Sequence, residues 1–139
     1  MKPVFRNILA LLIGVIIGVV INLALIQASS LVIPPPDGTD FTTEAGLKAG
    51  MHLMQPKHFL FPWLAHALGT FTGAYVAARI AVSHRLFLAI IVGAIFLVGG
   101  VQMLFMLPSP WWFNVADLLL AYLPMSWLGW RLATAHRLT

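Results

Sequence analysis

Residues 58–81 read HFLFPWLAHALGTFTGAYVAARIA, and this stretch decides the fold. Side chains no larger than a methyl group recur in it at every fourth position, at Ala65, Gly69, Gly73, Ala77 and Ala81. Residues four apart lie on one face of an α-helix, so these positions form a narrow ridge that lets a second helix approach closely. Close approach over Gly and Ala is how helices gain packing contacts in lipid. The pattern therefore predicts a membrane-spanning helix over about 59–81.

The composition excludes an ordinary soluble protein. Of the 139 residues, 60% are hydrophobic and only 9% are charged, far from the usual balance of soluble domains. The absence of cysteine excludes disulfides, thiolate metal sites and cysteine nucleophiles. The formal charge is +4, but Lys and Arg lie at the ends of apolar segments instead of forming a stripe. We therefore expect the lipid bilayer as partner and no nucleic acid.

Three further apolar segments are long enough to cross a bilayer, at about 7–29, 86–107 and 113–133. About 20 helical residues span a hydrocarbon core of roughly 30 Å. The chain is thus predicted to be an all-α integral membrane protein with one domain over 1–139, in which four transmembrane helices form two tandem helix hairpins. A cleavable signal peptide is the alternative for the first segment, but its apolar core is longer than such peptides usually have.

Prolines and an amphipathic pattern predict where the spans end or bend and what the outer loop contains. Pro34, Pro35 and Pro36 cannot continue a helix, so the first span ends there and an outer loop covers 30–58. Within this loop, 42–54 has the pattern of a short amphipathic helix lying in the membrane interface. Pro124 stands inside the fourth span and should bend that helix near Leu120.

Charge and repetition predict the topology. Six of the eight Lys and Arg residues lie on the side that holds both termini, so both termini are predicted to be cytoplasmic. The segments RIAVSHRL (79–86) and RLATAHRL (131–138) are identical at five of eight positions. This match indicates an internal repeat, although apolar helices with arginine ends also resemble one another by composition alone.

Each span carries a polar residue near its outer end, and these residues could form one layer. Asp117 is the only acid within a span, and a carboxylate in a membrane is costly unless paired. His66 is its expected partner, with Asn22 or Gln102 filling the remaining hydrogen bonds. The predicted ligand-binding residues are Asn22, His66, Thr70, Gln102, Asn114 and Asp117. The predicted helix-packing residues are Gly14, Gly18, Gly69, Gly73 and Ala77.

Several interpretations of this layer remain open. It could be a structural clamp between helices, an outward-facing pocket that binds or passes a small solute, lipid head group or ion, or a proton relay through a His and Asp pair. His52 and His58 also lie in the outer half, but their spacing aligns no ligand pair, so we expect interfacial histidines, no metal site and no cofactor. No phosphate loop or nucleophile motif is present, so no enzyme activity is predicted.

The runs VIPPPDG (32–38) and MHLMQPKHFLFPWLAHALGT (51–70) resemble segments of small, hypothetical bacterial inner-membrane proteins with four helices and no assigned activity. The resemblance implies a multi-pass protein of the bacterial inner (cytoplasmic) membrane and carries no activity, cofactor or site residue. The leading hypothesis is a non-enzymatic membrane protein with an outward-facing polar pocket. The rival is an accessory or assembly subunit of a larger membrane complex, and the small-residue ridges are also compatible with a homo-oligomer.

Overall fold

A computed structural model of the chain describes residues 2–135. All regular secondary structure within this range is helical, and the range contains no β-strand. The helices are α1 (Pro3–Val32), α2 (Glu44–Gly50), α3 (Leu60–Ile80), α4 (Arg85–Met106), α5 (Trp111–Leu120) and α6 (Leu123–Ala135). Two short 3-10 turns, Met51–Leu53 and Pro56–Phe59, lie between α2 and α3. The predicted all-α class is confirmed. The second copy of the repeat, 131–138, extends outside the described residues.

Within the described range, α1 and α4 are the two helices that are long and apolar enough to cross a membrane. Helix α3 has 21 residues, but its proline, histidine, threonines and glycines lower its mean hydropathy. Helices α5 and α6 have only 10 and 13 residues. By length and composition alone, the structure therefore supports two candidate spans, where the sequence pattern predicts four.

Helices α1 and α3 pack antiparallel through glycine. A Cβ built at Gly14 would lie 2.6 Å from the carbonyl oxygen of Gly73, and one built at Gly73 would lie 2.7 Å from that of Gly14. One turn further along α1, Gly18 and Gly69 make the same reciprocal contact at 2.7 and 2.8 Å. The backbones therefore touch directly, at a separation that no side chain would permit. The Cβ of Ala77 borders the same contact, 2.8 Å from a Cβ placed at Gly14.

Helix α3 is the centre of the bundle, because α1, α4 and α6 all pack against it. On the α6 side, Gly129 is so close that an added Cβ would lie 2.5 Å from the carbonyl oxygen of Phe71. On the α4 side, a Cβ built at Gly73 would lie 3.2 Å from Cγ1 of Val92. The core around α3 consists of small side chains, namely Ala74, Ala77, Ala78, Ala89, Val92 and Ala133.

The observed boundaries refine two of the predicted elements. Helix α1 extends the predicted 7–29 span at both ends, with Pro3 in its first turn, where a missing amide costs nothing. The predicted 42–54 helix is shorter, because α2 ends at Gly50 and continues only as a 3-10 turn. The hydroxyl of Thr43 accepts the backbone N–H of Gly46 at 3.0 Å and caps α2.

The fourth predicted span is not one continuous helix. Helix α5 ends at Leu120 and α6 begins at Leu123, so the predicted break near Leu120 is confirmed. Pro124 has no amide proton to donate to the carbonyl of Leu120, which ends the ladder of hydrogen bonds there. The break lies three residues after Asp117.

One end of the bundle is covered by residues 33–59, here called the cap. His58 holds the cap in place: its Nδ1 accepts the backbone N–H of Gln55 at 2.9 Å, and its Nε2 lies 3.2 Å from the carbonyl oxygen of Pro34. His58 is buried, since both of its ring nitrogens bond to the backbone of the cap. In the exposed part of the cap, the hydroxyl and the backbone amide of Thr42 both donate to the Asp40 carboxyl. These two hydrogen bonds, with the larger effect from the hydroxyl, hold the pKa of Asp40 below its usual value.

The opposite end is closed by the turn at 81–84. Asn7 of α1 reaches this turn, where its Nδ2 donates to the Ser83 hydroxyl at 2.9 Å and its Oδ1 accepts the backbone N–H of Val82 at 3.1 Å. His84 lies in the left-handed region with φ of 53° and precedes the first residue of α4. The two ends of the α1 and α3 pair are therefore both fixed by long-range contacts.

Candidate functional site

The site forms where α3 meets α5. His66 Nδ1 lies 2.8 Å from Asp117 Oδ1, so the structure brings together the histidine and the acid that the sequence paired. The pair is deep in the bundle, since the side chain of Asp117 is 5% exposed and that of His66 is 20% exposed. A carboxyl group so far from water requires hydrogen-bond donors around it.

The second donor to Asp117 is Tyr122, which the sequence analysis missed. The Tyr122 hydroxyl donates to Asp117 Oδ2 at 2.7 Å and also lies 3.0 Å from His66 Nδ1. The expectation that Asn22 or Gln102 fills this place is wrong. On a continuous helix Tyr122 would point away from Asp117, and the break between α5 and α6 brings it back. The break predicted from Pro124 was the signal that could have found it.

These contacts determine which hydrogen-bonding atoms remain free. Both oxygens of Asp117 accept a hydrogen bond, one from the Tyr122 hydroxyl and one from His66 Nδ1. Because an ionised Asp117 can only accept hydrogen bonds, His66 carries the proton on Nδ1, and in its neutral form Nε2 presents a lone pair. Among the described residues nothing bonds to His66 Nε2. The side-chain amide of Asn22 likewise has no hydrogen-bond partner there, although it lies on α1 at the same level.

A cavity of about 310 Å³, here called the capped cavity, lies between this cluster and the cap. Its volume is at the lower end of the range for small-molecule sites, and a mostly apolar wall with a few polar groups is typical of them. Its polar lining consists of Asn22, His66, Ser109, Asn114 and Asp117. Its apolar lining includes Leu47, Met51 and Met54 from the cap, Phe59 at its end, and Met103 and Leu104 from α4.

A second cavity of about 320 Å³, here called the side cleft, lies between α1 and α4. Val15 and Val19 form one wall, Ile95 and Gly99 form the other, and α1 and α4 make few contacts with each other. Asn22 and His66 line both cavities, together with Gly100 and Met103. The two spaces therefore share the side chains of Asn22 and His66 in their walls.

The other predicted site residues have different positions. Gln102 is exposed and borders the side cleft without a hydrogen bond to any described residue. Asn114 lines the capped cavity, but its amide is engaged with Ser109, whose hydroxyl donates to Asn114 Oδ1 at 2.6 Å. Thr70 is fully buried, lines neither cavity, and its hydroxyl has no partner in residues 2–135. It lies one turn further along α3, inside the packed core.

Glycine makes room for the cluster on the α4 side. A Cβ at Gly100 would collide with the Tyr122 hydroxyl, whereas a Cβ at the adjacent Gly99 would meet nothing within 4 Å. Gly100 is therefore needed for Tyr122 to reach Asp117 and His66. Residues 2–135 contain no group of three or more His, Cys, Asp or Glu side chains placed to hold a metal ion.

No protein-family model, characterised protein or solved structure matches this chain.

Proposed function

We propose that this chain is a four-span protein of the bacterial inner membrane, with both termini cytoplasmic, that binds a small molecule at Asn22 and His66 and performs no catalysis. One observation carries the binding proposal. Two side chains that line both cavities, Asn22 and His66, each keep a hydrogen-bonding group without a partner among the described residues, namely the Asn22 amide and His66 Nε2.

The distribution of side chains supports a membrane setting. Buried positions of α1 are Ala10, Gly14 and Gly18, while its large apolar side chains point outward, including Ile16 at 61% exposure. On α4, Phe105 is 82% exposed. A protein in water buries its large apolar residues and avoids broad apolar surfaces. Small residues inside and large apolar residues outside are what lipid allows.

Lengths support two further spans besides α1 and α4. At about 1.5 Å per residue, the 21 residues of α3 cover about 32 Å, close to the hydrocarbon thickness of about 30 Å. The 10 residues of α5 and the 13 of α6, with the two residues between them, cover up to about 37 Å before the break is considered. Because α3 lies antiparallel to α1 over its length, a bilayer that contains α1 also contains α3.

Contacts between the helices support the arrangement as two tandem hairpins. In the first pair, α1 and α3, the close contact joins Gly14 to Gly73. In the second pair, α4 and α6, a Cβ at Gly93 would lie 2.7 Å from the Cβ of Ser126. The segments LALLIGVI (9–16) and LAIIVGAI (88–95) align Gly93 with Gly14, and the match of 79–86 with 131–138 places Ser126 one residue from the counterpart of Gly73. The close packing of Gly14 also favours retention of the first helix over its removal as a signal peptide.

Charges support the orientation. Arg6, Arg79 and Arg85 lie at the end of the bundle that holds the 81–84 turn, and Arg6 Nε donates to the carbonyl of Ile80 at 3.0 Å. The cap end holds Asp37, Asp40 and Glu44 with two lysines. An excess of Lys and Arg marks the cytoplasmic side, so the capped cavity faces outward.

A purely structural clamp is the alternative role for the polar cluster, and the hydrogen bonds argue against it as a complete account. Asp117, Tyr122 and His66 Nδ1 satisfy one another. The Asn22 amide and His66 Nε2 add nothing to that clamp, yet both residues line the two cavities. Groups of this kind fix the orientation of a ligand in an apolar pocket.

Native mass spectrometry of the protein extracted in mild detergent tests the proposal. We expect wild-type protein to retain an adduct from a bacterial lipid extract and Asn22→Ala to lose it, at unchanged stability, because Asn22 bonds to nothing else in residues 2–135. Gln27→Ala is the matched control, since it removes an exposed amide from the same helix away from both cavities. Equal adducts in wild type and Asn22→Ala, or none in either, would contradict binding at this site.

A further inference from the structure

We infer that the ligand is an uncharged, long-chain amphiphile with a hydroxyl head group, which enters from the bilayer through the side cleft between α1 and α4. This inference rests on the proposed function and specifies the ligand class and the route of access. It follows from three features of the described residues: the opening of the cleft, the free hydrogen-bonding atoms and the charges of the cavity walls.

The side cleft opens toward the lipid. Val19 of α1 and Ile95 and Met103 of α4 border it, and these side chains are 42%, 44% and 41% exposed. Their positions in the middle and outer half of two apolar helices place the opening at the level of acyl chains. A path through the cap is less direct, because the cap buries Met51 and Phe59 over the other cavity. An apolar chain therefore gains access sideways without leaving hydrocarbon.

The free atoms match a hydroxyl group. In neutral His66, Nδ1 is the donor to Asp117, so Nε2 is an acceptor and requires a donor from the ligand. The nearby Asn22 amide has both NH₂ donors and a carbonyl acceptor. A hydroxyl can donate to His66 Nε2 and accept from the Asn22 NH₂, which gives each residue a partner.

The charges of the walls disfavour an anionic head group. Neither the capped cavity nor the side cleft is lined by Lys or Arg, and Asp117 is the one formally charged side chain in their linings. A phosphate or carboxylate head would lie near this acid with no cation to pair with it. An alcohol avoids this repulsion and also supplies the donor for His66 Nε2 that an ionised carboxylate lacks.

Photolabelling with two matched probes tests this inference. Hexadecanol and hexadecanoic acid, each with a diazirine in the chain, are added to the protein in nanodiscs of phosphatidylcholine, which has no net charge, and labelled peptides are quantified after irradiation. We expect the alcohol to label α1 and α4 peptides at the side cleft about threefold to tenfold more than the acid, the ratio that one net hydrogen bond gives. Asn22→Ala should reduce alcohol labelling by the same factor.

The route is tested separately with Gly99→Leu. A side chain at Gly99 has free space and lies in the cleft, so it should block access, reduce alcohol labelling to the level of the acid and leave the fold intact. Val98→Leu is the control, because Val98 is exposed and lines neither cavity.

Each outcome decides a different point. If Asn22→Ala reduces labelling and Gly99→Leu does not, the side route is wrong and the proposed binding site stands. If the acid labels the cleft as well as the alcohol does, the head-group assignment is wrong. If neither variant changes alcohol labelling, both the route and the proposed function are overturned.

Discussion

The contact between α1 and α3 makes a quantitative prediction for Gly73→Ala. The added methyl carbon would lie 2.7 Å from the carbonyl oxygen of Gly14, and ordinary contact begins at 3.4 Å, so the two helices must separate by about 0.7 Å. Gly99→Ala makes the same chemical change in α4 with nothing within 4 Å. Both variants replace a helical glycine by alanine, and they differ in whether the new methyl group has room.

The magnitude follows from two opposing effects. Replacing glycine by alanine in a helix interior stabilises by about 0.8–1.0 kcal/mol, and this gain applies to both variants. A gap of about 0.5–1 Å removes a quarter to a half of the dispersion energy of the separated atoms, and overpacking of this kind costs about 1–3 kcal/mol. We therefore expect the free energy of unfolding of Gly73→Ala to be lower than that of Gly99→Ala by about 1–3 kcal/mol.

Unfolding of each variant by SDS titration in mixed micelles, followed by circular dichroism, measures this difference. Gly99→Ala should be at least as stable as wild type, and Gly73→Ala should be less stable than Gly99→Ala. Equal stability of the two variants would refute the direct backbone contact between Gly14 and Gly73.

Three other changes have defined outcomes in the same assay. Tyr122→Phe removes the hydroxyl that donates to Asp117, and loss of a hydrogen bond to a charged group should lower the free energy of unfolding by about 1.5–3 kcal/mol; no change would mean that Asp117 has another donor. His84→Val should cost about 1–2 kcal/mol and His84→Gly should cost less, because His84 has a φ of 53°; equal costs would argue against the left-handed turn. Gly129→Ala should cost about 1–3 kcal/mol, since its Cβ would lie 2.5 Å from the carbonyl oxygen of Phe71; a stabilised variant would contradict the packing of α6 on α3.

The central helix and its neighbours could be predicted from the sequence because the signal is local. The four-residue spacing of Gly69 and Gly73 depends only on the period of the helix, and the same spacing in Gly14 and Gly18 predicted a second small-residue face without saying which helix packs on it. The pairing of His66 with Asp117 followed from the cost of an isolated carboxylate in lipid. Neither inference required knowledge of how the helices cross.

Tyr122 and the side cleft could not be predicted in the same way. Five residues along a continuous helix correspond to a rotation of about 140° from the starting direction, so periodicity placed Tyr122 away from Asp117. Only the actual geometry of the break between α5 and α6 reverses that placement. The cleft depends on how far α1 and α4 lie apart, which is set by the packing of both helices on α3. For the same reason, the sequence could not place Gln102 beside this cleft and outside the hydrogen-bonded cluster.

The number and direction of the membrane crossings are the claim on which the account depends most, and cysteine labelling tests them directly. The chain contains no cysteine, so Ala45→Cys in the cap, Val82→Cys in the 81–84 turn and Pro108→Cys after α4 each provide one exposed thiol. In intact spheroplasts, a membrane-impermeant maleimide should label positions 45 and 108, and should label position 82 only after the membrane is permeabilised. Labelling of 45 and 82 from the same side, with 108 protected, would show that only α1 and α4 cross the membrane and would contradict the four-span account.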